Sequence, residues 1–150
     1  MATEFQLVVD CTDPARLVPF WMAALHYAVE PPPGGAATWN DYWRSIGIPE
    51  DELDQTGDGS DSIVDPEGVG PRIWFQPVPE PKNGKNRLHL DLRVGGPRTV
   101  PLEERTRRVQ AEVARLEDLG ARQLYTLSTE GANHFGIVLA DPEGNEFCVV

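Results

Sequence analysis

The sequence predicts an α+β protein built from two β-α-β-β-β modules, and three observations indicate this fold class. The tetrapeptide Asp-Pro-Glu-Gly occurs twice, at 65–68 and at 141–144, and an apolar segment follows each copy. Segments of alternating apolar and polar residues precede both copies, as in strands with one buried face. Each half also contains one segment with apolar residues at helical spacing. The two halves therefore repeat the same order of elements.

The first module begins with the alternating segment from Phe5 to Asp10, which predicts a strand. Asp13 is a residue type that caps helix N-termini, and Pro14 suits a first helical position. Apolar residues at helical spacing then follow at Leu17, Phe20, Trp21, Ala24 and Leu25. This pattern predicts a helix that packs on a sheet, and residues His26 to Glu30 predict a returning strand.

The region from Thr38 to Gly59 has no counterpart in the second half. Its aromatic residues Trp39, Tyr42 and Trp43 predict a short helix, and we hypothesise that the segment folds over a ligand as a lid. Residues 58–61 resemble a calcium loop only superficially, because the spaced oxygen ligands and the terminal Glu are absent. We predict a loop there.

The segment after the first tetrapeptide predicts a strand whose two faces differ in chemistry. Ile73 and Phe75 fall on one face, whereas Arg72, Trp74 and Gln76 share the other. The apolar face is expected in the core. The other face is a candidate ligand-binding surface.

A second two-faced strand is predicted from Asn86 to Val94. Leu88, Leu90, Leu92 and Val94 alternate with Arg87, His89, Asp91 and Arg93. The pattern places the leucines in the core and His89 with Asp91 on a polar face, where the two could pair. A polar strand face commonly meets only solvent, so this face is either a site or a solvated surface.

The remaining elements complete the second module. Apolar residues from Leu102 to Leu119 predict a long helix closed by Gly120, and strands are predicted at 121–127, 135–140 and 145–150. Prolines and a glycine between Pro77 and Lys85 predict an extended connector.

These boundaries define one domain over residues 1–150. Module 1 covers about 1–80, a linker covers 77–86, and module 2 covers about 86–150.

Composition limits the function classes. The formal net charge of −11 and the pI near 4.6 argue against binding to nucleic acid or to an anionic membrane, and a cationic or neutral ligand is easier to accommodate. No apolar run is long enough for a membrane span, and the start of the sequence lacks the pattern of a secretory signal. With only two cysteines, we expect a soluble cytoplasmic protein with reduced thiols.

Three stretches resemble the vicinal oxygen chelate superfamily, in particular glyoxalase-like domains and bleomycin-resistance proteins. They are residues 7–14, residues 86–92 and the ending at 141–147. The resemblance implies curled mixed sheets around a cavity with the helices outside, and a homodimer. It specifies the fold better than the activity.

Metal-dependent members place ligands on the first and last strands of each module. By this resemblance the ligand positions fall on Gln6, Trp74, His89 and Cys148. Trp has no lone pair for a metal, and Cys148 replaces the usual Glu. Glu146, two residues earlier, is the candidate replacement, so a metal (Zn, Ni, Mn or Fe) would use Gln6, His89 and Glu146. No cofactor is assigned beyond this possibility of a divalent metal.

Two functions remain open. The first is metal-independent binding of a small organic molecule in the sheet cavity, with candidate ligand-binding residues at Gln6, Trp74, Gln76, His89, Asp91 and Cys148. The second is a divalent-metal-dependent lyase, isomerase or dioxygenase-like enzyme of the glyoxalase I kind, using His89 and Gln6. His89 is the candidate catalytic residue, because imidazole titrates near neutrality. It is alternatively a metal ligand or a structural histidine.

Overall fold

The computed structural model describes residues 1–150 and contains two four-stranded mixed sheets and three α-helices. The predicted α+β class is therefore confirmed. The chain divides into two compact units, Met1–Glu80 and Pro81–Val150. The assignment of residues 1–150 to one domain stays a prediction. None of the helices is both long enough and apolar enough to cross a membrane.

The first unit contains four strands and two α-helices. They are β1 (Leu7–Cys11), α1 (Pro14–Leu25), β2 (Ala28–Val29), α2 (Trp39–Ser45), β3 (Ser62–Val64) and β4 (Ile73–Pro77). Single turns of 3₁₀ helix lie at Pro33–Gly35 and Glu50–Glu52. The strand order is β1-β4-β3-β2, in which β1 pairs with β4 in parallel and the other pairs are antiparallel.

The second unit repeats this arrangement with one α-helix. Its elements are β5 (Asp91–Leu92), α3 (Leu102–Asp118), β6 (Arg122–Ser128), β7 (Phe135–Ala140) and β8 (Glu146–Val149). The strand order is β5-β8-β7-β6, and only β5 with β8 is parallel. The predicted repeat is thus confirmed in strand order and in strand direction.

Helix α1 begins where the sequence predicts. The Asp13 side chain accepts a hydrogen bond from the backbone N–H of Ala15 at 3.0 Å, and Pro14 occupies the first turn. Leu17 and Phe20 are buried, and the helix packs against β4. The helix ends at His26, which adopts a left-handed conformation (φ 57°), so β2 starts two residues later than predicted.

The two Asp-Pro-Glu-Gly turns form in the same way. The carboxylates of Asp65 and Asp141 accept hydrogen bonds from backbone N–H groups of their own turns. Gly68 and Gly144 have φ angles of 70° and 90°, a region that favours glycine. The turn chemistry read from the sequence is confirmed at both positions.

The strand predicted from Asn86 to Val94 is much shorter than expected. Only Asp91–Leu92 pairs as a strand, and Leu88, assigned to the core, is 86% exposed. The reason lies in the neighbouring strand. With Asp91 opposite Cys148 in a parallel register, Leu88 falls opposite Asn145, inside the turn that begins at Asp141. Residues in that turn cannot continue the ladder of backbone hydrogen bonds between β5 and β8, so the segment around Leu88 leaves the sheet.

Candidate functional site

The first sheet has one face against α1 and one polar face. Ile73 and Phe75 are 3% and 0% exposed, so the intervening residues of β4 lie on the opposite side. In the register with β1, Val8 lies opposite Trp74, and Asp10 lies opposite Gln76. Arg72, Trp74 and Gln76 are all half-buried on this polar face.

Arg72 is the centre of a hydrogen-bonded cluster on this face. Its Nε and Nη2 atoms donate to both carboxylate oxygens of Glu30 at 2.6 to 2.9 Å, and Nη2 also donates to Ser62 Oγ at 2.8 Å. Its Nη1 atom donates to Gln6 Oε1 at 2.8 Å. The hydrogen bonds to Glu30 raise the pKa of Arg72 above its ordinary value. The guanidinium is therefore charged and held from three sides.

Trp74 is fixed by a neighbouring carboxylate. Its indole Nε1 donates to Asp61 Oδ2 at 2.7 Å, while Asp61 Oδ1 accepts from Ser62 Oγ at 2.8 Å. Since Ser62 also accepts from Arg72, one chain of hydrogen bonds links the guanidinium to the indole. The half-buried Trp74 ring is thus held in a defined orientation with its N–H already used.

The second unit brings together His89, Asp91 and Cys148. Asp91 lies opposite Cys148 in the β5–β8 pair, and His89 Nε2 is 3.3 Å from Asp91 Oδ1. One potential ligand atom from each of the three residues lies within 4.8 Å of the others. His89 and Asp91 are exposed, whereas Cys148 is buried. The pairing of His89 with Asp91 agrees with their predicted common face.

Cys148 is a protonated thiol at neutral pH. Burial raises the pKa of its thiol to about 11, and the negative charge of Asp91, which accepts a hydrogen bond from the thiol, adds to the shift. Metals bind the thiolate rather than the thiol. In this protein the sulfur therefore donates to Asp91.

Glu146 is engaged elsewhere. Its carboxylate forms an ion pair with Lys85, and this hydrogen bond raises the pKa of the lysine. Its backbone N–H donates to Asn86 Oδ1 at 3.2 Å. Glu146 is not among the three residues whose ligand atoms converge around Asp91.

A cleft of about 450 Å³ in the first unit lies outside the predicted site. Its lining includes Asp13, Asn40, Trp43, Glu52, Asp54 and Asp61, but neither Gln6 nor Trp74. Most of these residues come from the aromatic and acidic region after Thr38, and that composition was the only sequence signal for the cleft. Trp39, in the same region, is buried and donates from its Nε1 to Glu30 O at 2.7 Å.

A sequence profile described as Glyoxalase-like domain matches residues 6–150. The chain belongs to this family. The match covers both units of the glyoxalase-like protein, so the family that the sequence resembles is confirmed. No curated protein sequence gives a significant match.

Solved structures share the fold at low sequence identity. A glyoxalase/bleomycin resistance protein/dioxygenase family enzyme from Burkholderia phytofirmans PsJN is 16% identical with a TM-score of 0.55, covering 96% of this chain and 94% of that chain. The antibiotic binding protein TnmS3 from Streptomyces sp. CB03234 is 16% identical with a TM-score of 0.52, covering 99% and 94%.

A third neighbour is a fosfomycin resistance protein, FosX, from Listeria monocytogenes, which was solved with Mn(II) and a dihydroxypropylphosphonic acid. It is 10% identical with a TM-score of 0.58, covering 99% of this chain and 90% of that chain. A divalent metal is therefore the cofactor to test against the residues of the glyoxalase-like protein.

The side chains at the resemblance-derived ligand positions do not fit such a metal. Gln6 Oε1 already accepts from the charged Arg72, and a cation beside that guanidinium would be repelled. Trp74 offers no lone pair, and its N–H is bound to Asp61. Cys148 is a protonated thiol in an oxygen-ligand position. Of the four positions, only His89 has a suitable donor atom.

Proposed function

We propose that this glyoxalase-like protein binds a small organic molecule on the polar face of its first sheet without using a metal. The observation that carries the proposal is Trp74. Its half-buried ring stands at a position where metal-dependent relatives place a ligand, and Asp61 holds it in one orientation. An oriented aromatic ring is a platform for a flat ligand rather than a metal ligand.

The surroundings of Trp74 suit such a ligand. Val8, opposite Trp74, is 45% exposed and extends the apolar surface, while Gln6 and Gln76 add polar groups at its margins. Small-molecule sites combine largely apolar walls with a few placed polar groups in this way. The description of TnmS3 as an antibiotic binding protein and of FosX as a resistance protein also supports a small-molecule ligand.

For the second unit we propose that His89 is a hydrogen-bonding residue on the polar face of its own sheet. Asp91 accepts from its Nε2 side at 3.3 Å, so the imidazole presents Nδ1 as an acceptor in its neutral form. The buried Cys148 thiol donates a hydrogen bond to Asp91. This role requires no metal.

The proposal is tested with a ligand screen read out by thermal shift and by the indole N–H resonances of the four tryptophans. A hit on the proposed face moves the Trp74 resonance, and Trp74→Leu abolishes the thermal shift. Trp43→Leu is the matched control, because Trp43 is also half-buried but lies in α2. Binding that survives Trp74→Leu and fails in Trp43→Leu would move the site to the cleft and refute the proposal.

The second candidate function is a divalent-metal-dependent lyase, isomerase or dioxygenase-like enzyme. The convergence of His89, Asp91 and Cys148 within 4.8 Å is the observation in its favour. Elemental analysis after loading with zinc, nickel, manganese or iron decides between the candidates. About one metal per chain, lost in His89→Ala, supports the enzyme. No retained metal supports metal-independent binding.

The homodimer implied by the resemblance stays a prediction. Sedimentation equilibrium or light scattering of the purified protein measures the mass directly. A mass near the 16.6 kDa of one chain at micromolar concentration would contradict it.

A further inference from the structure

The orientation of the Gln6 amide is fixed by the chemistry of its neighbour. A guanidinium has five N–H donors and no acceptor. The Gln6 atom that lies 2.8 Å from Arg72 Nη1 must therefore be the carbonyl oxygen, because an amide NH₂ in that place would bring two N–H donors together with no acceptor between them. The Nε2 atom, with its two N–H groups, is consequently the part of Gln6 available to a ligand.

Arg72 imposes this orientation because it is itself held firmly. Glu30 binds it through both carboxylate oxygens, and Ser62, which is fully buried, accepts from Nη2. Bidentate pairing of this kind fixes the plane of the guanidinium. Rotation of the Gln6 amide by half a turn would break its bond to a donor that does not move.

The same contacts set the local charge. The Arg72–Glu30 pair is neutral in sum, and its side chains are only 33% and 22% exposed. The Asp61 carboxylate beside Trp74 adds a second negative charge, so Arg72, Glu30 and Asp61 together carry −1, the same sign as the net charge of −11 of the whole chain. The Trp74 N–H is used by Asp61, so the Gln6 amide, held by Arg72 on the same sheet face, is an ordered donor that a ligand on this face can use.

We infer that the ligand of this face is a flat aromatic compound that carries a carbonyl oxygen, which accepts a hydrogen bond from Gln6 Nε2 while the ring lies on Trp74. The inference rests on the proposed function, since it names the ligand class of the same face. It makes Gln6 a hydrogen-bond donor to an organic ligand rather than an oxygen ligand to a metal. A neutral compound of this kind is one of the two ligand classes, cationic or neutral, that the overall charge leaves open.

The test compares two probes with the same bicyclic skeleton. N-methyl-4-quinolone is neutral and has a carbonyl acceptor, whereas N-methylquinolinium is a cation without an acceptor. Each is titrated into nitrogen-15-labelled protein while the Gln6 side-chain amide and the Trp74 indole resonances are followed. We expect the quinolone to shift both resonances and to bind about tenfold more tightly than the quinolinium.

Variants then test the donor role of Gln6 separately from ligand binding on the polar face. Gln6→Glu keeps the shape and the bond to Arg72 but removes the N–H donors, so quinolone affinity falls by about five- to tenfold. Gln123→Glu, at an exposed position of β6, makes the same change of charge and leaves the affinity unchanged. Arg72→Met frees the Gln6 amide to rotate, so the preference for quinolone over quinolinium shrinks.

The outcomes distinguish the two proposals. Two results would overturn the donor role of Gln6 while leaving the polar face as a binding site. One is tighter binding of the quinolinium with a shifted Trp74 resonance, and the other is unchanged quinolone affinity in Gln6→Glu. An unmoved Trp74 resonance with both probes counts against the proposed function and against the inference with it. An equal loss for both probes in Arg72→Met makes Arg72 merely structural and refutes its positioning role.

Discussion

Asp61 accepts hydrogen bonds from Trp74 Nε1 and from Ser62 Oγ, one on each carboxylate oxygen, at 2.7 and 2.8 Å. Two donors from different strands thus share one carboxylate. The arrangement orients an aromatic ring on the sheet and fixes the hydroxyl that supports Arg72. A single acidic residue in a loop therefore organises much of the polar face.

The first prediction concerns this carboxylate. Asp61→Asn removes the charge from both hydrogen bonds and turns an amide NH₂ toward Ser62 Oγ, which must then accept instead of donate. We expect a loss of about 1–2 kcal/mol in the free energy of unfolding, measured by urea denaturation. Asp58→Asn is the control, because the exposed Asp58 side chain accepts from the backbone N–H of Ser60 and contacts no buried donor. Equal effects of the two substitutions would contradict the prediction.

The second prediction compares the two copies of the turn. Asp141 is 4% exposed and accepts from Glu143 N, Asn145 N and Asn145 Nδ2, whereas Asp65 is half-buried. Asp141→Ala removes a buried acceptor from several half-buried donors and should cost about 2–3 kcal/mol of unfolding free energy. Asp65→Ala should cost about 1 kcal/mol, because water can replace the lost acceptor. A reversed order in thermal or urea unfolding would refute this reasoning.

The third prediction concerns the reactivity of Cys148. Its folded pKa of about 11 lies above the ordinary thiol value near 8.5, so between these values the folded thiol keeps its proton while an unfolded one loses it. The free energy of unfolding should therefore fall as the pH rises from about 9 to 11, because in this range the folded state binds a proton that the unfolded state has lost.

Alkylation kinetics check the same thiol. In a Cys11→Ser background, iodoacetamide should react slowly at neutral pH and accelerate only as the pH approaches about 11. Denatured protein is the control, and its rate should rise near pH 8.5. A native rate profile that also rises near 8.5 would show that neither burial nor Asp91 perturbs the group.

The fourth prediction concerns Leu88, which the sequence pattern placed in the core. Since it is 86% exposed, Leu88→Ser should change the unfolding free energy by less than about 0.5 kcal/mol. Leu139→Ala, at a fully buried position of β7, should cost about 2–5 kcal/mol. A comparable loss in Leu88→Ser would mean that the residue is covered in solution.

The sequence predicted features that are encoded locally. The α1 cap at Asp13, the two Asp-Pro-Glu-Gly turns and the alternating burial around Ile73 and Phe75 all depend on neighbours within a few positions. Repetition of the turn and of the order of elements in both halves was enough to predict the fold class. The strand at Asn86 to Val94 failed because its length depends on where β8 turns away, which no local pattern records.

The candidate site was predicted less completely, because its contacts join distant parts of the chain. Gln6, Trp74 and Gln76 were recognised, and the structure puts them on one polar face. The roles of these residues depend on Arg72, which is 66 positions from Gln6 and 42 from Glu30 in the sequence. Spacing could not reveal that the Gln6 oxygen is already bound, and so could not choose between a metal ligand and a hydrogen-bond donor.

The repeated strand order supports two separate polar networks. The polar contacts of Arg72 all lie in the first unit, and those that join Asp91 to His89 and Cys148 lie in the second. A substitution in one network therefore leaves the other intact. The same strand order thus carries two different sets of polar groups, a guanidinium with an indole in the first unit and an imidazole with a thiol in the second.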